Sequence, residues 1–240
     1  MLAPLGVELL RQSELGIGEA DEPFRTFVEN ALAKARHAAA QSGLPALADD
    51  AGLCVEAFGG LPGVDTAFYA MQFGYAKGDD NNVRALLEQM AGQSDRRAAL
   101  VSTLVAVRSA DDPEPLIAVG RVAGEIARVP VGSNGFGFDP VMYIPAFGKT
   151  FAELPVDVKN AHSHRGLAAR QMMALMRERW LAACKTFNTT CALARCNWPR
   201  CHRCLCMCTC PGASRNALTA ISTHMKWPAL SRRSSATLMP

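Results

Sequence analysis

Three acidic side chains have the type and spacing to bind a metal ion and activate water. Glu29 lies in a helix-like segment, and Asp49 and Asp50 follow an apolar run and precede Gly52. Successive side chains of a strand point to opposite faces, so only one aspartate would enter a given site, and Asp50, which lies nearer the end of the predicted strand, is the candidate. Mg²⁺ is usually held by one or two carboxylates with waters and substrate phosphates, which makes Glu29 and Asp50 the candidate ligands. The alternative is that residues 49–52 form an ordinary turn.

A glycine-rich loop is the second candidate. Its sequence from Phe136 to Pro140 is Phe-Gly-Phe-Asp-Pro. Glycines let the backbone approach a flat ligand closely, and an aromatic ring offers a stacking platform worth about 1 to 3 kcal/mol for a nucleobase. An ordinary tight turn with core aromatic rings is the alternative. The nearby Gly148-Lys149-Thr150 is not a P-loop, because that motif requires glycine where the chain has Tyr143.

Basic and polar residues precede the last predicted helix. Lys159 and Arg165 carry only hydrogen-bond donors, so a pocket built from them favours a base edge with an acceptor, such as a 6-oxopurine. A 6-aminopurine would leave donors facing donors, at a cost of about 1 to 3 kcal/mol per unpaired group. His162 and His164 have the spacing of a metal-binding pair, but no third ligand lies near them in the sequence. We therefore expect this segment to contact a ligand at the entry to the helix.

Apolar periodicity predicts the elements that must position these groups. Segments with a helical stripe of apolar residues alternate with strand-like segments, and two long strand-like segments are separated by a polar turn, which predicts a β-hairpin. The predicted fold class is α/β, with a mixed, elongated sheet that contains a long central hairpin and is flanked by helices. Helices are predicted over residues 23–43, 79–90 and 164–184, strands over 6–10, 44–48, 53–58, 97–108, 115–127 and 141–144, and loops over 132–140 and 148–150.

Residues 185–240 differ from the rest of the chain in charge and cysteine content. They carry eight Lys and Arg residues and no Asp or Glu, whereas residues 1–184 carry 17 basic and 22 acidic residues, a net charge of −5. Eight of the nine cysteines lie between Cys184 and Cys210. Their spacing matches no standard zinc pattern, and a basic nucleic-acid arm is a further alternative. We predict one domain over residues 1–184 and a disordered, non-native tail over residues 185–240.

Composition restricts the class of protein. The 240 residues are 49% hydrophobic and 20% charged, which is ordinary for a globular chain. No apolar run approaches the roughly 18 residues of a membrane span, and the N-terminal residues show no secretory signal. The acidic body argues against a surface that coats nucleic acid. We expect a cytoplasmic protein with a small-molecule substrate and with neither nucleic-acid nor membrane partners.

Taken together and in order, these motifs closely resemble the inosine triphosphatase family, the pyrophosphatases of non-standard purine nucleoside triphosphates. The resemblance covers about residues 1–182. It rests on the segments at 26–31 (TFVENA), 34–35 (KA), 47–53 (LADDAGL), 62–64 (PGV), 135–140 (GFGFDP), 149–154 (KTFAEL), 159–160 (KN) and 163–166 (SHRG).

The resemblance implies a homodimeric, Mg²⁺-dependent enzyme that hydrolyses ITP, dITP and XTP between the α and β phosphates, releasing the monophosphate and pyrophosphate. Asp50 matches the family's general base and metal-associated aspartate, and Glu29 matches its metal-binding glutamate. The matches to the family's substrate-binding positions are Ala51, Phe136, Gly137, Phe138, Asp139, Lys159, His164 and Arg165.

Two departures from the family bear on activity. Many members have a serine hydroxyl where this chain has Ala51. The family also opens with a strand, a loop whose lysine grips the triphosphate, and a helix, and Met1 resembles a position after that helix. We therefore expect the domain to lack its first strand and helix and the activity to be impaired. The alternative functions are a related modified-nucleotide pyrophosphatase, a non-catalytic nucleotide-binding remnant, and an adaptor that acts through the tail.

Overall fold

The two long apolar segments in the middle of the chain form the β-hairpin around which the sheet is built. The computed structural model describes Leu5, residues 7–181 and the backbone of residues 217–221. Its strands are β1 (Glu8–Arg11), β2 (Ala46–Val55), β3 (Arg97–Val107), β4 (Leu116–Ile126), β5 (Met142–Ile144), β6 (Lys149–Thr150) and β7 (Ala217–Ile221). Its α-helices are α1 (Phe27–Ser42), α2 (Asp79–Gln89), α3 (Val156–His162) and α4 (His164–Met176). Shorter 3-10 segments span Gln12–Leu15, Glu56–Phe58, Gly63–Phe73 and Phe151–Glu153, and a π-helical turn spans Arg177–Leu181.

The described strands form one mixed sheet in the order β1-β7-β2-β3-β4-β5-β6. The neighbours from β2 to β6 are antiparallel, whereas β7 lies parallel to both β1 and β2. This arrangement confirms the predicted α/β fold with a long central hairpin and flanking helices. None of the helices in these residue ranges is both long and apolar enough to cross a membrane.

Helices α1 and α4 cover opposite faces of β2 and β3. The alanines of α1 pack on Ala46, Ala48 and Val105, and the small side chains let the helix lie close to the sheet. On the other face, α4 packs on Leu47 and Leu104. Because side chains alternate along a strand, odd-numbered residues of β2 face α4 and even-numbered residues face α1.

Helix α1 begins later than the sequence predicts. Residues 23–26 are not helical, and the cap is Thr26, whose side-chain oxygen accepts a hydrogen bond from the Glu29 amide. Asn30 prevents an earlier start, since its side chain binds both the amide and the carbonyl of Phe24 at 3.0 and 3.1 Å. The predicted stop is confirmed, because Gly43 ends the helix with a φ of 68°.

Strand β2 corrects the prediction of two strands separated by a turn at residues 49–52. The segment is one continuous strand, and its ten residues pair with β3 from Ala46 opposite Val107 to Val55 opposite Ala98. Gly52 serves close packing and not a turn, since a Cβ at this position would lie 2.2 Å from the carbonyl oxygen of Gly63. The two aspartates therefore lie in the middle of a strand and not at its end.

Three smaller predictions also need correction. The segment at 148–150, predicted as a loop, contributes β6. Residues 159–162, expected to belong to the entry to the last helix, are part of the separate helix α3, and Ser163 then caps α4. The last α-helix ends at Met176 and continues as a π-helical turn to Leu181.

The predicted tail lies mostly outside the described residues. Residues 182–216 and 222–240, which contain the cysteine cluster, are not described, so their predicted disorder and the domain boundary at residue 184 stay predictions. Residues 217–221 differ from that prediction because they form β7. This strand pairs with β1 over its full length and with Ala46–Ala48 of β2.

Gly120→Ala tests the close packing of α4 on the sheet. A Cβ at Gly120 would lie 1.9 Å from the carbonyl oxygen of His164, at the start of α4. We expect the free energy of unfolding, measured with urea, to fall by about 1 to 3 kcal/mol. Gly18→Ala is the matched control, since a Cβ there has no heavy atom within 4 Å. Equal losses in the two variants would contradict this packing.

Candidate active site

The paired aspartates lie where the edge of β2 is open. β7 pairs with β2 only as far as Ala48, and from Leu53 onward the edge is covered again, because the Leu53 amide donates to Thr66 Oγ1 at 2.9 Å. Between these points, residues 49–51 pair with β3 on one side, and no described strand pairs with them on the other. The two aspartates therefore lie on an unpaired stretch of the strand edge.

Asp50 faces α1 and is held by two of its side chains. Lys34 Nζ lies 2.9 Å from Asp50 Oδ1, and Asn30 Nδ2 lies 3.5 Å from Asp50 Oδ2. Lys34 is 1% exposed and also pairs with Glu22 at 2.9 Å. Burial raises the pKa of Asp50 to about 6; Lys34 acts in the opposite direction, and the negative charges of Glu22 and Asp49 add to the rise.

Glu29 lies in the first turn of α1, one residue before Asn30. Its side chain is exposed, and Glu29 Oε2 accepts a hydrogen bond of 2.6 Å from the Thr26 hydroxyl. The contact of Asn30 with Asp50 brings this turn of the helix to the same part of β2.

The donor chemistry of this region fits a hard cation. Glu22 and Asp50 share one ion-pair partner among the described residues, Lys34, and the exposed Glu29 forms no ion pair within that part of the chain. No group of three or more His, Cys, Asp or Glu side chains in the described part could hold a metal by itself. Two carboxylates with waters and substrate phosphates suit Mg²⁺, which dehydrates reluctantly and keeps several waters.

Asp49 faces α4, as the alternation of side chains requires. Asp49 Oδ2 accepts from Arg165 Nε at 3.1 Å, and Asp49 Oδ1 accepts from Ser102 Oγ at 2.6 Å. The predicted alternation is confirmed, since the two aspartates face opposite sides, whereas the choice of Asp50 over Asp49 as the metal ligand stays a prediction. Asp49 nevertheless contacts Arg165, a residue of the predicted base pocket, and Asp50 does not.

Phe136, Lys159 and Arg165 form a cationic and aromatic cluster. Lys159 Nζ lies 5.0 Å and Arg165 Cζ lies 5.3 Å from the centroid of the Phe136 ring. Phe136 is 37% exposed, whereas Phe138 is buried in the core, so Phe136 is the ring available for stacking. The exposed ring and the two cations are suited to a flat base with acceptor atoms.

Asp139 and two glycines shape the loop that carries Phe136. The buried Asp139 forms an ion pair with Lys159 and accepts a hydrogen bond of 2.7 Å from the Phe136 amide. A Cβ at Gly135 would lie 2.0 Å from Asp139 Oδ2, so only glycine fits there. Gly137 donates its amide to Asp79 of α2. These residues position the loop, and Asp139 also holds the Lys159 ammonium.

His164 is buried at the start of α4. Its Nε2 lies 3.2 Å from a terminal guanidinium nitrogen of Arg165, and its Nδ1 has no hydrogen-bond partner among the described residues. Because arginine only donates, Nε2 is the acceptor and the ring proton lies on Nδ1. Burial and the charges of Arg165 and Lys159 lower the pKa of His164 well below its usual value. His162 does not share its setting, since it packs edge-on against Phe147.

The structure adds Lys34, Asn30, Glu22 and Ser102 to the residues around the two aspartates. The sequence contained one usable signal for Lys34. It lies on the alanine-rich face of α1, and a lysine on a buried helix face requires a polar partner. The predicted residue Ala51 lies at the open edge, where it contributes no polar side-chain group.

Comparisons with known proteins agree with this arrangement. The model of the Ham1 family matches residues 1–175. The dITP/XTP pyrophosphatase of Albidiferax ferrireducens is 81% identical over 181 residues, which are 75% of this chain and 91% of that protein. The dITP/XTP pyrophosphatase of Verminephrobacter eiseniae is 79% identical, with the same coverage.

Solved structures show the same similarity. A HAM1 protein from Coxiella burnetii is 42% identical with a TM-score of 0.69, covering 74% of this chain and 93% of that chain. The Ham1 protein of Staphylococcus aureus is 36% identical with a TM-score of 0.64, covering 70% of this chain and 84% of that chain. The chain therefore belongs to the Ham1 family. Because the curated relatives are dITP/XTP pyrophosphatases, this result confirms the predicted family, the pyrophosphatases of non-standard purine nucleoside triphosphates.

Lys34→Met tests the charge balance around Asp50. A carboxyl group whose folded pKa exceeds 3.8 destabilises the fold as the pH rises through that pKa, which is about 6 for Asp50. Loss of Lys34 raises that pKa further, so we expect a loss of about 3 to 5 kcal/mol in the free energy of unfolding at pH 8.

Urea unfolding at pH 5 and pH 8 measures the effect. At pH 5 the loss is expected to be smaller, because the protonated Asp50 no longer needs a cation. The control is Lys77→Met, whose exposed ammonium lies over the Phe68 ring. A loss that is the same at both pH values would contradict this account of Asp50.

Proposed function

We propose that the chain hydrolyses ITP, dITP and XTP to the nucleoside monophosphate and pyrophosphate, with Mg²⁺ as its cofactor. The observation that carries the proposal is the convergence of two clusters on adjacent residues of β2. The acidic cluster consists of Glu22, Glu29 and Asp50, and Lys34 binds its strand residue Asp50. The cationic and aromatic cluster contacts the adjacent Asp49 through Arg165. The names of the relatives support two of these substrates, dITP and XTP, since they are dITP/XTP pyrophosphatases.

The acidic cluster is suited to the hydrolytic step. Asp50 and Glu29 would hold Mg²⁺, which supplies charge neutralisation at the phosphates and polarises bound water. Burial raises the pKa of Asp50 to about 6, so its carboxylate is more basic than that of an ordinary aspartate and is suited to accept a proton from water. Lys34, buried between Asp50 and Glu22, keeps the Asp50 carboxylate oriented.

The cationic and aromatic cluster is suited to base selection. Phe136 offers an exposed ring for stacking, and Lys159 and Arg165 offer donors beside it. Hypoxanthine and xanthine present an oxygen at position six, which accepts from these donors. Adenine presents an amino group there, and the resulting donor–donor contact costs about 1 to 3 kcal/mol.

The proposal includes two properties of the whole protein. The family resemblance supports a homodimer, and Cys54, a free thiol in the described part of the domain, suits the reducing cytoplasm. Light scattering on a sizing column measures the first, and fractionation of cells that produce the full chain measures the second.

Turnover of a substrate panel tests the function. The full chain is incubated with ITP, XTP, dITP, dTTP or ATP and Mg²⁺, and both pyrophosphate and the monophosphate are quantified. We expect ITP, dITP and XTP to be hydrolysed in preference to ATP and dTTP, with one pyrophosphate per monophosphate, and a metal chelator to stop the reaction. Preference for a different modified nucleotide, or binding of ITP without turnover, would overturn the proposal.

Glu29→Gln and Asp50→Asn test the assigned carboxylates. Each removes a negative charge from the predicted metal site and keeps the side-chain shape, so we expect kcat for ITP to fall by at least about 100-fold. Asp112→Asn is the control, because Asp112 is a buried carboxylate whose hydrogen bonds among the described residues go only to backbone amides of the β3–β4 turn. If either site variant kept the activity of Asp112→Asn, that residue would have no such role.

A further inference from the structure

We propose that Asp49 is a positioning residue that sets base selectivity by fixing the guanidinium of Arg165. The inference deepens the proposed function and rests on it. Asp49 touches neither the phosphates nor the metal in this assignment. It acts through Arg165, from the face of β2 opposite to the Asp50 side chain.

The contacts of Asp49 leave its carboxylate little freedom. Both oxygens accept hydrogen bonds, one from Ser102 Oγ at 2.6 Å and the other from Arg165 Nε at 3.1 Å. Asp49 is 5% exposed, and the Arg165 side chain is only 17% exposed. A buried ion pair is far less screened by water and salt than a surface pair, so its geometry is strongly constrained.

Arg165 is held at three points, and part of its guanidinium remains available. Nε binds Asp49, one terminal nitrogen binds His164 Nε2 at 3.2 Å, and the guanidinium carbon lies 5.3 Å from the Phe136 ring centroid. The second terminal nitrogen has no hydrogen-bond partner among the described residues. An arginine has five N–H donors, so free donors remain beside the stacking ring.

The backbone of β2 links this selectivity to catalysis. Asp49 and Asp50 are adjacent and point to opposite faces, so the pairing with β3 fixes both side chains at once. The pairing therefore fixes the position of Arg165, the proposed contact of the base, relative to Asp50, the predicted general base. Without Asp49, Arg165 would keep only its contacts to His164 and Phe136, and its free donors could turn away from the purine oxygen.

The experiment compares the ratio of kcat/KM for ITP to kcat/KM for ATP in Asp49 variants. We expect Asp49→Ala to lower this ratio about tenfold, the size of one charge-assisted hydrogen bond. Asp49→Asn is expected to lower it less, because an amide oxygen still accepts from Arg165 while the charge is lost. The Mg²⁺ concentration for half-maximal activity should not change, since the predicted metal ligands remain.

A double-mutant cycle shows whether Asp49 acts through Arg165. In the Arg165→Ala background, Asp49→Ala should have no further effect on the ITP to ATP ratio. Asp112→Asn is the matched control, because it alters an equally buried carboxylate remote from Arg165 and should leave the ratio unchanged. If Asp49→Ala fails to fold, Asp49→Asn and its cycle with Arg165→Ala provide the test.

The outcomes separate this inference from the proposed function. An unchanged ratio in folded Asp49 variants, or independent effects of Asp49→Ala and Arg165→Ala, would overturn the positioning role while ITP hydrolysis by the original chain stood. Failure of the original chain to hydrolyse ITP would instead overturn the proposed function, and the inference with it. A changed Mg²⁺ dependence would place Asp49 with the metal and also overturn the inference.

Discussion

Two adjacent buried carboxylates in the middle of β2 are the constraint on which the site depends. Burying an unpaired charge is expensive, so each aspartate needs a cation on its own face of the sheet. Lys34 of α1 meets this need for Asp50, and Arg165 of α4 meets it for Asp49. The two helices that cover the sheet therefore also carry the cations that its interior requires.

The same constraint divides the site into two parts. The side of α1 gathers the carboxylates of Glu22, Glu29 and Asp50, where phosphates and a cation would be neutralised together. On the side of α4 lie the hydrogen-bond donors of Lys159 and Arg165 and the exposed Phe136 ring, which would contact a base. The open edge of β2 at residues 49–51 lies between the two sides, because no described strand pairs with it there.

Much of the architecture follows from patterns that the sequence displays locally. Long aliphatic segments predicted the hairpin of β3 and β4, and helical periodicity predicted α2 to within one residue. Thr26 and Asn30 show where such reasoning fails. Asp, Glu and Pro before a helix are start signals in general, but here the Asn30 side chain binds the Phe24 backbone and holds it outside the helix.

The sequence by itself determined the fold class, the family and the identity of the candidate acids and donors, because residue types, order and periodicity are local properties. Only the tertiary structure decided that residues 49–52 continue a strand. A pair of aspartates before glycine favours a turn in isolation, and ten paired residues of β3 override that preference. Tertiary packing also decided which cation each aspartate meets, since Lys34 and Arg165 are far apart in the chain and only the faces of a shared sheet bring them to neighbouring residues.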